Sequence, residues 1–251
     1  MGNSGKVKRG HSDFSERNQN VPFSATVQFI SDQAQIRAFL ARPHSAGRPA
    51  PAVVVIQEWW GLNDHIKDIA QRLAREGYAA LAPDLYSRLG NKVTRDPNEA
   101  AGLMNALSSQ AALRDLNAAV SYLKTQAFVE PLRIGTVGFC MGGTFALTMA
   151  THNSDIKAAV PFYGKVPPLE SLDYLLCPVL YHYGAKDAWV TRQEVDRLQQ
   201  GLERYGKPGQ VCVYPEADHA FFNDTRPDVY RESDARLAWD RTLQFLAQHL
   251  R

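Results

Sequence analysis

The chain holds 251 residues, 45% of them hydrophobic and 22% charged, with a formal net charge of +2. That length suffices to bury one sizeable α/β core, and the interspersed acids and bases form no basic stripe of the kind that binds nucleic acid or an anionic membrane surface. The longest apolar runs, such as "PAVVVI" at 51–56, are far too short to cross a bilayer.

Residues 1–20 are polar and carry no apolar stretch of the kind a secretory signal needs, so they read as a disordered tail on a cytoplasmic protein. Residues 21–251 read as a single domain. Two β-like runs, 23–30 and 33–41, flank the polar "SDQ" and predict a hairpin, followed by the Pro/Gly-rich connection "RPHSAGRPAP". Short apolar strands are then predicted at 52–57, 78–82, 133–138, 158–162, 178–183 and 210–214.

Between them, Ile66, Ile69, Ala70 and Leu73 recur at helical spacing, as do Leu113, Leu116, Val120 and Leu123, and then Val195, Leu198, Leu202 and Tyr205. A last helix is predicted over 228–249. Apolar strands alternating with helices imply an α/β fold: a mostly parallel sheet covered on both faces, with the antiparallel hairpin at its N-terminal side. In such sheets function gathers on loops beyond the carboxyl ends of the strands. Of the three cysteines, Cys177 and Cys212 sit in apolar runs and read as buried thiols; an odd count without an export signal argues against a disulfide framework.

The third cysteine lies in "GFCMGG", between a predicted strand and a helix-like run. Gly138-Phe139-Cys140-Met141-Gly142 has the form glycine–any–nucleophile–any–glycine of a strand-to-helix elbow, with cysteine in the nucleophile's place. The sharp turn forces the central residue into a strained conformation, and side chains two positions either way would clash. A thiol there stands at a helix N-terminus, where the dipole favours a thiolate, and the N–H of Met141 aims at an oxyanion.

An elbow of this kind needs an acid and then a histidine, in that chain order, after later strands. Asp187 follows the strand at 178–183 in "GAKDAWV", and His219 follows the strand at 210–214 in "PEADHAFF". Cys140, Asp187 and His219 therefore form a candidate catalytic triad, the imidazole taking the thiol proton and Asp187 fixing its tautomer. Among the other histidines, His182 lies inside a predicted strand and reads as a core residue. Asp218 and Asp224 flank His219 too closely in sequence to face its far nitrogen. The histidines and cysteines show no metal-ligand spacing, so neither metal nor cofactor is expected.

With "QEWWGLNDHI", "GYAALAPDLYSR" and "EADHAFFNDTRPDVY" added in order, the chain from about residue 21 onward resembles the dienelactone hydrolase (carboxymethylenebutenolidase) family of α/β-hydrolases. The resemblance implies that Glu58, at the end of the strand at 52–57, lies beside the thiol and helps to activate it. It implies that the N–H of Trp59 is a second oxyanion donor, and that Arg88 grips a substrate carboxylate. In the best-known members a second such arginine stands four residues after the histidine. Here that position is Asn223, and the nearest arginine is Arg226. Trp60 and Phe221, with neighbouring aromatics, suggest an apolar pocket wall.

The reading is hydrolysis of a carboxylic ester or lactone, with or without a carboxylate, through an acyl-thioester on Cys140. A broad-specificity carboxylesterase or thioesterase on the same residues is the nearest competitor, and a non-hydrolytic redox-sensing or ligand-binding protein a more distant one. The partner is a small molecule, and both monomer and homodimer stay open.

Overall fold

A computed structural model describes residues 21–44 and 48–251; the predicted tail over 1–20 lies outside the described residues. Strands β1 (Phe23–Ser31) and β2 (Ala34–Arg42) form the expected hairpin. Ser31 pairs with Ala34, so Asp32 and Gln33 alone make the turn. Both have positive φ (44° and 63°), which matches the right-handed twist of the flanking strands. Gln33 therefore belongs to the turn and not to the second strand.

The remaining strands are β3 (Ala50–Ile56), β4 (Ala79–Pro83), β5 (Val129–Phe139), β6 (Ile156–Phe162), β7 (Val179–Gly184) and β8 (Gly209–Tyr214). They complete one sheet in the order β1-β2-β4-β3-β5-β6-β7-β8. The pairings β1/β2 and β2/β4 are antiparallel and all the others are parallel. Helices α1 (Asp64–Arg75), α2 (Pro97–Ala106), α3 (Ser109–Lys124), α4 (Met141–His152), α5 (Arg192–Arg204) and α6 (Glu232–Leu250) connect and cover it.

Burial explains the patterns in the sequence. β4 is buried at every residue and β3 at its last five, because helices lie on both faces. The edge strand β8 instead keeps alternate residues outside. Helix α1 buries Ile66, Ile69, Ala70 and Leu73, and the Asn63 side chain caps it by accepting the Ile66 N–H at 3.1 Å. In α5, Thr191 and Glu194 form a reciprocal capping box.

The last helix starts at Glu232, four residues later than predicted. Residues 226–230 instead close a turn, with Tyr230 N–H on the Arg226 carbonyl (2.9 Å), and Arg231 N–H reaches back to the Phe221 carbonyl (3.0 Å). Helix α2 buries only Ala100 and shows little apolar periodicity. Cys177 and Cys212 are buried and unpaired, and burial pushes the Cys177 thiol up to about 12. Among the described residues no helix is long and apolar enough to cross a membrane.

This topology sets the carboxyl ends of five adjacent parallel strands along one rim. Glu58 follows β3, Cys140 follows β5, Tyr163 follows β6, Asp187 follows β7 and His219 follows β8.

Candidate active site

Cys140 joins β5 directly to α4, with φ 55° and ψ −118°. A side chain in that conformation costs on the order of 1–3 kcal/mol. The surroundings enforce it. A Cβ on Gly138 would sit 2.0 Å from the Gly142 carbonyl oxygen, and one on Gly142 would sit 2.3 Å from that of Ile56. Gly164, after β6, approaches as closely: its Cβ would meet the Gly143 carbonyl carbon at 2.3 Å. The Cys140 N–H donates to the Phe162 carbonyl at 3.0 Å, so β6 holds the turn from the other side.

Asp187 and His219 meet across the ends of β7 and β8. The carboxylate side chain is fully buried, and its Oδ2 lies 2.7 Å from His219 Nδ1. Its Oδ1 accepts the N–H groups of Trp189 (2.7 Å) and Val190 (2.8 Å), which fixes its plane. The imidazole packs edge-on against Tyr163 and Trp189, with ring centroids 5.0 and 5.1 Å away. Burial disfavours its charge, but the Asp187 hydrogen bond and the pairing with the Cys140 sulfur outweigh that and raise its pKa from 6.5 to about 10. His182, by contrast, is fully enclosed in β7 between the Tyr214 hydroxyl (2.9 Å) and the Thr242 hydroxyl (3.1 Å).

Glu58 is 1% exposed. Its Oε2 accepts from Asn223 Nδ2 at 2.7 Å and its Oε1 from the Tyr163 hydroxyl at 3.4 Å. Thr225 fixes the sense of the Asn223 amide, because its N–H (3.1 Å) and its hydroxyl (2.7 Å) both donate to Oδ1. The amide nitrogen must then face Glu58. Asn223 is thus engaged with a carboxylate of the protein itself, although the sequence suggested a substrate ligand.

The peptide N–H of Trp59 finds no acceptor among the described residues, while the Glu58 carbonyl on its other side accepts from Gly61 N–H at 3.4 Å. Met141 is the first residue of α4, so its N–H has no acceptor within the helix. Tyr86 braces both: its hydroxyl donates to the Trp59 carbonyl at 2.8 Å and lies 3.9 Å from Met141 Sδ.

Glu58, Trp59, Trp60, Cys140, His219 and Arg226 line one cavity of about 160 Å³, together with Met104, Trp189 and Ala220. Trp60 and Arg226 also line a larger cleft of about 470 Å³, and the Arg226 guanidinium rests 5.7 Å above the Trp60 ring.

Two expected residues stand elsewhere. Arg88 does not line the cavity. Its fork is closed on Asp115 by bonds of 3.0 and 2.8 Å, and it also donates to the Ser31 carbonyl at 2.9 Å. Phe221 is fully buried between Tyr163 and Tyr214, with centroids at 5.6 and 4.8 Å, and belongs to the core. Its neighbour Ala220, with φ 63°, lines the cavity instead. Sequence reasoning missed Tyr163, Gly164 and Tyr86. The "YG" that follows the strand beside the elbow strand was the available signal for the first two.

The fold and this rim define an α/β-hydrolase. Residues 36–250 match the sequence profile of the dienelactone hydrolase family, and the chain belongs to that family. A Salmonella typhimurium protein named "Putative carboxymethylenebutenolidase" is 36% identical over 90% of this chain and 88% of its own length. A Bradyrhizobium protein named "Probable 2-oxo-3-(5-oxofuran-2-ylidene)propanoate lactonase" is 36% identical over 85% of this chain and 89% of its own. The crystal structure of a Klebsiella pneumoniae protein called a "Putative Dienelactone Hydrolase" superposes with a TM-score of 0.86 at 35% identity, covering 92% of this chain and all of that one. The chain is a hydrolase of the dienelactone hydrolase type, acting on carboxylic esters.

Proposed function

We propose that Cys140, His219 and Asp187 form a catalytic triad that cleaves a small ester or lactone through an acyl-thioester. The observation that carries this reading is the His219 imidazole, held by buried Asp187 on one side and raised to about 10 in part by Cys140. An imidazole so raised is protonated at neutral pH, which suits a thiolate partner.

The thiolate attacks the ester carbonyl, and the oxyanion is received by the N–H groups of Trp59 and Met141. One such donor is typically worth ~3 kcal/mol of barrier. As the tetrahedral adduct collapses, the carbon–oxygen bond of the ester breaks and the leaving oxygen takes the proton from His219. Acylation removes the negative charge of the sulfur. With it goes one of the influences that raised the imidazole, while burial still pulls its pKa down. The now neutral His219 draws a proton from water, and the hydroxide attacks the thioester. Collapse of that adduct releases the acid and restores the thiolate–imidazolium pair. Glu58, at the same cavity and held by Asn223 and Tyr163, assists the transfer of the thiol proton to His219 by which that pair first forms.

With Arg88 committed to buried Asp115, Arg226 is the cation on the cavity wall that could hold a substrate carboxylate, in exchange for its present pairing with the exposed Asp228. The diversion of Arg88 favours a second reading, a carboxylesterase of broad ester range. Rates on a panel of p-nitrophenyl esters against an authentic dienelactone separate the two. The triad itself is tested by Cys140→Ala and His219→Ala, which should each lower kcat by about 10³-fold or more. Mass spectrometry of rapidly quenched wild type should show an acyl adduct on Cys140. Wild-type turnover in both variants would end the proposal.

A further inference from the structure

A second space, of about 250 Å³, adjoins the catalytic cavity, and Met104 and Trp189 line both. Its other apolar lining comes from Leu107, Leu113, Met141 and Phe145. Of the polar groups around it, Ser109 at the start of α3 is exposed, and the others are engaged with the protein. The Thr144 hydroxyl oxygen accepts the Lys165 N–H at 2.9 Å, and the Thr148 hydroxyl donates to the Thr144 carbonyl at 2.8 Å. The Lys165 ammonium is bonded to the Trp189 carbonyl and, at 3.1 Å, to Glu194. A ligand entering this space therefore meets mainly methyl, methylene and aromatic surface.

The segment above the space supports the same reading. Helix α2 buries only Ala100, yet it presents Leu103 and Met104, with Leu107 just beyond its end, as half-buried apolar residues. Met104, with three rotatable bonds and a polarisable sulfur, is the most adaptable side chain on the shared wall.

We propose that this space receives an apolar arm of the substrate, so that the enzyme's preferred ester carries an alkyl or aryl chain on one side of the scissile bond. The inference rests on the Cys140 reading and adds the substrate's shape to it. At ~30 Å³ for each water-sized group, the volume admits an arm of up to about eight carbons. Trp60 and Arg226, which the catalytic cavity shares with the 470 Å³ cleft, do not line this space, so the polar end of such a substrate has a separate place to go.

The test uses the full-length enzyme and two ester series, one lengthened in the acyl chain (p-nitrophenyl acetate to octanoate) and one in the alcohol (ethyl to octyl acetate). In one series kcat/KM should climb about fourfold for each methylene added, the gain from burying one methylene, and level off once the space is full. Leu107→Trp should flatten that climb, and Leu107→Ala should move the plateau to longer chains. A misfolded variant could not produce the second result. Flat dependence in both series, or an unchanged slope in Leu107→Trp, would overturn the inference. If p-nitrophenyl acetate is hydrolysed equally by Cys140→Ala, it is the underlying reading that fails.

Discussion

Two imidazoles lie within neighbouring strands and their loops, and their surroundings drive them in opposite directions. His182, inside β7, is enclosed by Phe162, Tyr214 and Thr242; burial, with a small contribution from Arg241, lowers its pKa to about 3. His219, beyond β8, is partly buried, yet Asp187 and Cys140 raise it to about 10. Burial alone does not set the charge of a histidine. Between these two, the charge of the partner across the hydrogen bond decides it.

Removing the partner's charge breaks the contrast most sharply. Asp187→Asn keeps the shape but leaves His219 without its carboxylate, and kcat/KM should fall by about 10³–10⁴. The same variant exposes the linkage. Because the folded-state pKa of His219 stands above 6.5, its stabilisation is complete below about pH 6.5 and is lost as pH rises through 10. The difference in unfolding free energy between wild type and Asp187→Asn should therefore shrink across that window. A difference that grows with pH would contradict the assignment.

His182 has the reverse sign. Its folded-state pKa is depressed, so stability is full above about pH 6.5 and erodes as pH falls toward 3. His182→Leu should flatten that acid limb in urea titrations and cost only about 1–2 kcal/mol at pH 7. Most of that cost is the Tyr214 O–H, which loses its acceptor; the Tyr214 oxygen still accepts from Arg241 at 3.3 Å and the Thr242 hydroxyl still donates to the Ala238 carbonyl at 2.8 Å. Turnover should be nearly unchanged. A loss of activity comparable with that of Asp187→Asn would erase the contrast between interior and rim.

The smallest effect separates the arginines in the same terms. Arg226→Ala should raise KM for carboxylate-bearing esters about fivefold relative to neutral ones. Arg88→Ala should leave that ratio alone and lower stability, since it strands the buried Asp115 carboxylate. Equal KM ratios in the two variants would return Arg88 to the site.

The sheet, the hairpin and the rim positions of Cys140, Asp187 and His219 were legible because each follows from local pattern: apolar runs, helical spacing, and glycines where a Cβ would clash. What stayed hidden depends on partners distant in sequence. Nothing around Arg88 announces Asp115, 27 residues away, and a motif match placed it in the pocket. Phe221 and Trp60 look alike as aromatic residues near motifs, and only packing separates the core member from the cavity wall. Asn223 was visible only as a missing charge. Its role became readable once Thr225 had fixed which way its amide points.

The backbone at Cys140 carries a further lesson about inheritance. At φ 55° and ψ −118° the residue occupies a region that glycine enters freely and every side chain resists. Drift at this codon toward glycine would relax the chain and, on the mechanism proposed above, remove its nucleophile. A lineage with no use for a thiol at this turn would gain a sturdier backbone by losing it.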